Sequence, residues 1–532
     1  MSDDQSKTTS EELDNENVPD VDLTRLDLFY QFLNDYLEKM TPSFSIDNLQ
    51  AQLKEYFEFQ LKFNASDSGE NDLSNISYYE LSLLELAHKQ KELDLLDLCE
   101  KLKNIVSENV IIGKKKLELL DHGLKLKKYR RYPNSLLTLL GRVTYERSAL
   151  VPSSKSQSVI LKSLGYDGFV FPVDEALGIS RLPFKITVPA MLEIAKTAVA
   201  CDSFEDAEQI LFKKSNMKVN DDTIRKVTNV VGSIVLENDK KVASEIWEKT
   251  PPWKFVAPDH KLAHTLYLEV GGAMLQTRDT VSEHGSLWME NKLGMAFSTD
   301  HFLRWIDKHG VPQHRILKKE FISLIGTNEN FKLHLYSLAI RNGYGIYKNT
   351  VLLSDGATWI RLMKEELFDN CQQILDYYHL CEKISIFAKE IFSLDEKKYK
   401  PWAEKVSKLF KKSKINEAIS GIKSVKPSLL KKASFDLLEY INNNRDSMDY
   451  ATYMRKGFFI GSGAIESASR TVLQRRLKLP GTRWNIQSAQ NIVALASKYR
   501  SCLWESEVVR TICNHFNFDE DLSCVRPILG KF

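Results

Sequence analysis

The seven cysteines of this 532-residue chain (Cys99, Cys201, Cys371, Cys381, Cys502, Cys513 and Cys524) include no C-x-x-C pair. That scatter argues against a structural zinc site and a disulfide framework, so reduced thiols in a cytoplasm are expected. Long apolar runs are missing as well. No stretch of about 18 apolar residues occurs, and the acidic, polar start lacks the charged-then-apolar order of a secretory signal. The expectation is a protein that neither crosses a membrane nor is exported. Excess charge of either sign is also absent, with 73 basic against 71 acidic residues and a net charge of +2.

Near-neutrality conceals a split. Residues 1–22 carry eight acids (Asp3, Asp4, Glu11, Glu12, Asp14, Glu16, Asp20, Asp22) and one Lys7, so this stretch is −7 and the remainder is +9. The first 22 residues read as a disordered acidic tail. The basic remainder is compatible with a nucleic-acid partner. Hydrophobic residues at 43% and charged residues at 27% are ordinary for a soluble protein, so composition names no function. The length exceeds the roughly 250–300 residues at which a single core stops growing, which predicts several domains.

From Leu23 to about Leu126 the apolar residues recur at helical spacing, as in Leu26, Phe29, Tyr30, Phe32 and Leu33, and Asn64 to Asn75 reads as a loop. The lysine- and arginine-rich segment Lys114 to Arg131 fits either a phosphate-contacting stripe or a solvated helix end. Arg142 to Arg147 alternates and predicts a short hairpin. Ser153 to Ser158 reads as a polar loop, and Phe169 to Pro172 as a second short strand. Three helices follow between Val188 and Val235. The last is capped by Asn220 and presents Arg225, Lys226 and Asn229, which suit a recognition helix in a major groove, although a plain helical hairpin is the preferred reading.

A β region begins at Leu266 to Gly271, continues through Trp288 to Thr299, and includes the apolar run Asn349 to Ser354. Asp355 stands at the carboxyl end of that last strand, where open α/β sheets place their ligands. Gln373 to Asp376 is a further short strand, with Asp376 near the same crevice. Ile386 to Asp449 reads as helical and lysine-rich, with twelve lysines against four acids in residues 395–432. After it, Gly461-Ser462-Gly463 predicts a tight turn into a helix that carries Glu466, Arg470, Arg475, Arg476 and Lys478. Glu466, Leu473 and Leu477 fall on one arc of that helix, and Arg483 and Trp484 follow. Trp484 beside Arg483 fits either stacking on an unpaired base or a place in the core. His379 and Glu382 fit either a metal pair or a structural pair one turn apart.

An acid on the first strand, one after the strand at 349 and one on the closing helix would together bind two divalent ions, with Asp355 and Glu466 in the second and third places. Several ordered motifs resemble an insertion-sequence transposase of the bacterial ISKra type. They are Ser354-Asp355-Gly356-Ala357-Thr358-Trp359-Ile360, Ile374 to Glu382, Asn444 to Tyr450, and Gly461 to Glu466 followed by Gly481-Thr482-Arg483-Trp484. The similarity covers roughly residues 140–505, including Pro172 to Gly178. It implies a ribonuclease-H-like core with an Asp, Asp, Glu (DDE) triad, an all-α insertion before the Glu, and metal-dependent cleavage and joining of DNA at insertion-sequence ends.

The resemblance further implies that Asp355 and Glu466 hold Mg²⁺ or Mn²⁺. Arg225, Lys226, Asn229, Arg470, Arg475, Arg476, Lys478 and Arg483 would contact DNA at transposon ends and target, in a homo-oligomer associated with a cytoplasmic nucleoid. Glu290 and Lys292 match the family's second strand. Two departures stand against this. Gly271 occupies the place of the first metal-binding Asp, which would impair the two-ion site, and Glu269 lies one strand repeat back, with Asp279 beyond the strand. The C-x-x-C knuckle that family members carry before Phe171 is also missing from Val151 to Gly168. The chain therefore reads either as a transposase or as a catalytically dead DNA-binding descendant.

The expected fold class is α+β and multidomain. Its expected divisions are the tail 1–22, a helical region 23–131, a hairpin and helix-turn-helix-like region 132–250, the core in 251–384, a basic helical insertion 385–450, the closing helix in 451–505, and a C-terminal tail 506–532.

Overall fold

The computed structural model describes residues 108–215, 217–259, 261–278, 287–425 and 436–516. The acidic tail, the helical region up to residue 107, Asp279 and the residues after 516 lie outside this range. Helix α1 (Glu108–Leu120) leads into an antiparallel hairpin of β1 (Leu126–Leu137) and β2 (Arg142–Pro152). The hairpin is longer than its alternating sequence suggested. Its first strand begins before the expected boundary at 131, so Lys127, Lys128, Arg130 and Arg131 lie on a strand and not at a helix end.

The expected polar loop at 153–158 is instead the start of α2 (Lys155–Ser163). Its N-cap Ser154 accepts a hydrogen bond from the Gln157 N–H at 3.4 Å. This helix occupies the stretch that lacks the cysteine knuckle, and it packs through Leu161 against Ile112, Leu119, Leu124, Leu126, Leu150 and Val170. Phe169 to Pro172 forms no strand. Val170 makes a single bridge with Leu150, and Pro172 opens the short α3 (Pro172–Ala176), where a proline's missing N–H costs nothing.

The three expected helices follow as α4 (Val188–Ala200), α5 (Phe204–Ser215) and α6 (Asp221–Lys249). Asn220 caps α6 by accepting from the Thr223 N–H at 3.0 Å. At 29 residues α6 is a long packing helix, whose Ile224, Val227, Val231 and Val235 share a core with α4.

The central sheet contains β3 (Leu262–Gln276), β4 (Trp288–Ser298), β7 (Glu320–Ile325), β8 (Tyr347–Ser354) and β9 (Cys371–Leu375), in the order β7-β4-β3-β8-β9. Strands β7, β4 and β3 run antiparallel to their neighbours, and β3, β8 and β9 run parallel. A two-stranded hairpin, β5 (Phe302–Ile306) and β6 (Pro312–Ile316), sits between β4 and β7. Helices α7 (Asn328–Arg341) and α8 (Thr358–Leu367) connect the later strands. Both faces are covered: Tyr267, Val351 and Leu353 belong to one core, and Leu266, Leu268, Val270 and Leu352 to the other. Burial on both sides accounts for the unbroken apolar run in β8.

After β9 the chain is helical, as expected, through α9 (Tyr377–Ile391), α10 (Glu396–Lys411), α11 (Ile415–Lys423), α12 (Leu437–Asn443) and α13 (Tyr450–Arg455). These helices share one core with the sheet, since Phe410, Ile422, Leu437, Ile441 and Tyr450 cluster with Val351, Leu353 and Ile374. Then come α14 (Gly463–Ala468), a π-helical stretch Ser469–Gln474, α15 (Arg475–Leu477), α16 (Ile486–Arg500) and α17 (Arg510–His515). The expected tail from 506 is in part core, because Trp504, Val508 and Ile512 pack with α4 and α6. No helix among the described residues is long and apolar enough to cross a membrane.

Candidate functional site

Strand register builds the floor of the site. Val270 on β3 pairs with Ser354 on β8, and Ser354 pairs with Leu375 on β9. The next residue on each of these parallel strands is Gly271, Asp355 or Asp376, so the three stand in one row at the carboxyl ends of β8 and β9. Above the row, the turn into α14 brings Ser462, Ile465 and Glu466. Gly271, Asp355, Asp376, His379, Glu466 and Arg470 line one cavity of about 400 Å³.

The acids around this cavity differ in what holds them. Asp355 caps its own turn, its Oδ1 accepting from the Ala357 N–H at 3.1 Å, while its carbonyl accepts from the Tyr440 hydroxyl at 2.8 Å. Gly356 follows at φ 86°, where a Cβ would stand 2.7 Å from Leu375 Cδ1. Asp376 is fully engaged. One oxygen accepts from the Tyr378 and His379 N–H groups at 2.6 and 3.1 Å, and the other from the Ser462 N–H at 3.0 Å and the Ser462 hydroxyl. It is 1% exposed and ties the start of α9 to the turn before Glu466. Glu466 is exposed, and its side chain makes no hydrogen bond or ion pair among the described residues.

Glu269 is closer to this machinery than its place in the sequence suggested. It is 1% exposed, and its Oε2 accepts from the Ile465 N–H at 2.7 Å, so it holds the helix that carries Glu466 without lining the cavity. Burial pushes its carboxyl up to about 8, against the pull of that hydrogen bond, and the neighbouring charges of Asp376 and Glu466 push the same way. No local pattern marks this contact, because it joins residues far apart in the chain.

Glycine has different work here from what the motif implied. Neither Gly461 nor Gly463 has a positive φ. A Cβ on Gly461 would meet the Tyr378 ring at 2.5 Å, so close approach is what Gly461 provides, while Gly463 faces open space. At Gly271 a Cβ would meet only Ile465 Cγ1, at 3.8 Å, which leaves room for a side chain.

The cations divide sharply. Arg470 is exposed and lines the cavity, and Lys478 and Arg483 are exposed. Arg475 is held by Asp202. Arg476 is 6% exposed, lies 4.1 Å from the Phe204 ring centre and donates to the Asp202 carbonyl at 2.8 Å. Burial lowers its pKa to about 10, and it is a packing residue, not a phosphate contact. The π-helical stretch explains this: it shifts the phase, so Leu473, Arg476 and Leu477 turn inward while Glu466 stays outside the arc they share.

Trp484 packs with Leu473 and Leu477, and its Nε1 donates to the Leu477 carbonyl at 3.2 Å, which favours the core over base stacking. On α6, Arg225 and Lys226 both pair with Asp222. Asn229 accepts from Asn491 at 3.1 Å through its carbonyl and faces α16, not an open groove. His379 Nδ1 lies 3.8 Å from Glu382 Oε2. Lys292 pairs with Glu290 at 3.0 Å, and neither lines the cavity.

A two-ion centre needs a carboxylate bridging both ions. In the row at the cavity floor Gly271 offers no carboxylate, Asp376 has its oxygens occupied by protein donors, and Glu269 is turned to Ile465. Two open carboxylates, Asp355 and Glu466, do not fit such a centre, and no group of three or more His, Cys, Asp or Glu among the described residues is arranged to hold a metal.

No protein-family model matches the sequence, and comparison with curated proteins finds no relative. Among solved structures, the chain is similar to the Drosophila P element transposase strand transfer complex. The two are 10% identical over 71% of this chain and 94% of that one, with a TM-score of 0.20, a value too low to equate the folds.

Proposed function

We propose that this chain is a transposase-like DNA-binding protein on a ribonuclease-H-like core, in which the strand-cleaving two-metal centre is incomplete. The strand order and directions support the core: three antiparallel strands are extended by two parallel ones, with the crevice at the carboxyl ends of the latter. A helical segment then separates the last strand from the helix that supplies Glu466. One observation carries the reading. The register of β3 and β8 sets Gly271 beside Asp355, across the cavity from Glu466, with space at 271 for the carboxylate that is not there.

What remains suits holding DNA. Arg470 at the cavity and Lys478 and Arg483 beyond it are exposed. Lys397 and Lys405 on α10, Lys412 just after it and Lys423 on α11 are exposed and have no acid partner among the described residues. Assembly as a homo-oligomer on DNA, descent from a bacterial insertion sequence and a place on a nucleoid belong to the same proposal.

The test is nicking of supercoiled plasmid DNA in Mg²⁺ or Mn²⁺, alongside binding of a labelled duplex. The protein as it stands should bind and not nick, and Gly271→Asp should gain nicking. Metal-dependent nicking by the unaltered protein would restore the active transposase, and absence of DNA binding would remove the reading.

A further inference from the structure

The β1–β2 hairpin lies outside the cavity just described, and its chemistry is concentrated. Between Asp121 and Glu146 the sequence has no acid, while Lys125 just before β1 and Lys127, Lys128, Arg130 and Arg131 on it fall within one short stretch. We propose that this face of the hairpin is a docking surface for single-stranded DNA. The inference rests on the proposed function for the class of partner and adds where, and in what form, the DNA is held.

Three observations support it. The first is an irregularity in β1: Lys128 pairs with Leu150 but Arg131 pairs with Ser148, so β1 carries an extra residue at Tyr129 and Arg130. A bulge interrupts the strict alternation of sides, which lets adjacent residues serve one surface. The Arg130 guanidinium lies 5.5 Å from the Tyr129 ring centre and 4.5 Å from that of Tyr132.

The second is a set of rings at the surface. Phe169 stands 6.3 Å from Tyr129, 5.7 Å from Tyr132 and 6.3 Å from Phe171, centre to centre. Tyr129 is 55% and Phe169 40% exposed, so both present ring surface to solvent. Beneath them the platform is fixed: Arg147 lies 4.0 Å from the Phe171 ring centre and pairs with the buried Asp174 at 2.6 Å, which also accepts from the Tyr145 hydroxyl at 2.8 Å.

The third is charge left open. Arg131 is taken by Glu108, and Arg147 by Asp174, but Lys127 and Lys128 are exposed with no acid partner among the described residues. Two exposed acids stand near, Asp167 in the loop before Phe169 and Glu146 on β2 opposite Pro133. Lysines alone would serve any polyanion. Exposed rings interleaved with cations match a strand whose base faces are free, because a duplex keeps those faces stacked inside.

Fluorescence anisotropy of the full chain tests this with two probes, an oligothymidine of about 20 nucleotides and a random duplex of about 20 base pairs. The double variant Tyr129→Ala/Phe169→Ala should lose about tenfold or more in affinity for oligothymidine and change less than about twofold on the duplex. Lys127→Ala/Lys128→Ala should lower the slope of log affinity against log salt for oligothymidine by about 1. The side chains changed are exposed, and an unchanged thermal midpoint would verify folding. Full oligothymidine affinity in the ring variant overturns the docking surface while leaving DNA binding intact, and equal loss on both probes overturns the preference for single strands. If the unaltered protein binds neither probe, the proposed function fails and this inference with it.

Discussion

Glu269 accepts a hydrogen bond at 2.7 Å from the backbone of Ile465, the residue before Glu466. A buried carboxyl on the central strand thus anchors the helix that faces the cavity. Burial raises its pKa in the folded state from the ordinary 4.5 to about 8, so the folded protein keeps a proton that the unfolded chain releases earlier. The sign follows from that difference. Stability from this group is full at pH below about 4.5 and is lost as pH rises to about 8 and beyond. Denaturant unfolding from pH about 5 to about 8 should show this loss, and Glu269→Gln, which cannot ionise, should flatten it. A slope unchanged by Glu269→Gln would mean that Glu269 does not titrate in that window. Glu269→Ala should cost about 1–3 kcal/mol, because it strands the Ile465 N–H.

Two glycines at the cavity should answer substitution oppositely. Gly271→Ala meets only Ile465 at 3.8 Å and should shift stability by less than about 1 kcal/mol. Gly356→Ala places a Cβ 2.7 Å from Leu375 and 2.9 Å from the Asn444 Oδ1, at φ 86°, and should cost about 2 kcal/mol or more. Thermal midpoints of the pair would check this, and equal effects would contradict the geometry.

Arg470 and Arg476 stand on the same short segment with different work. Arg476→Ala removes a cation packed on Phe204 and should destabilise by about 1–3 kcal/mol. Arg470→Ala should leave stability within about 0.5 kcal/mol and weaken duplex binding several-fold at low salt. Unfolding curves and anisotropy on the two variants separate the roles, and a stable Arg476→Ala would show that the buried placement is wrong.

Asp376→Ala deletes both the cap of α9 and the tie to Ser462. A cap is worth about 1 kcal/mol and the tie to Ser462, counted as a single hydrogen bond to a charged group, about 1.5–3, so a loss of at least roughly 2.5–4 kcal/mol is expected in denaturant unfolding. Asp376→Asn, which keeps an acceptor, should recover part of it.

Much of the architecture was legible because it is written in local pattern. Helical spacing marked α4, α5 and α6, and the buried run of β8 with Asp355 behind it marked the crevice. Asp355 and Glu466 were singled out by motif, and both line one cavity with Gly271. Strands β5, β6 and β7 passed unnoticed because they are five or six residues long, too short for alternation to stand out. Helix α2 was hidden by its serines, which cap a helix as readily as they fill a loop.

By itself, then, the sequence determined the helices α4 to α6, the apolar strand β8, the absence of a carboxylate at 271 and the presence of carboxylates at 355 and 466, since each depends only on residue identity and near neighbours. Tertiary structure alone decided which groups those acids meet. Strand register set Gly271 beside Asp355, a π-helical stretch turned Arg476 inward while Glu466 remained outside, and the packing of β3 against α14 raised the pKa of Glu269 and gave it its hold on Ile465. Register, helix phase and desolvation arise from contacts between segments distant in the chain, and no local window of sequence contains them.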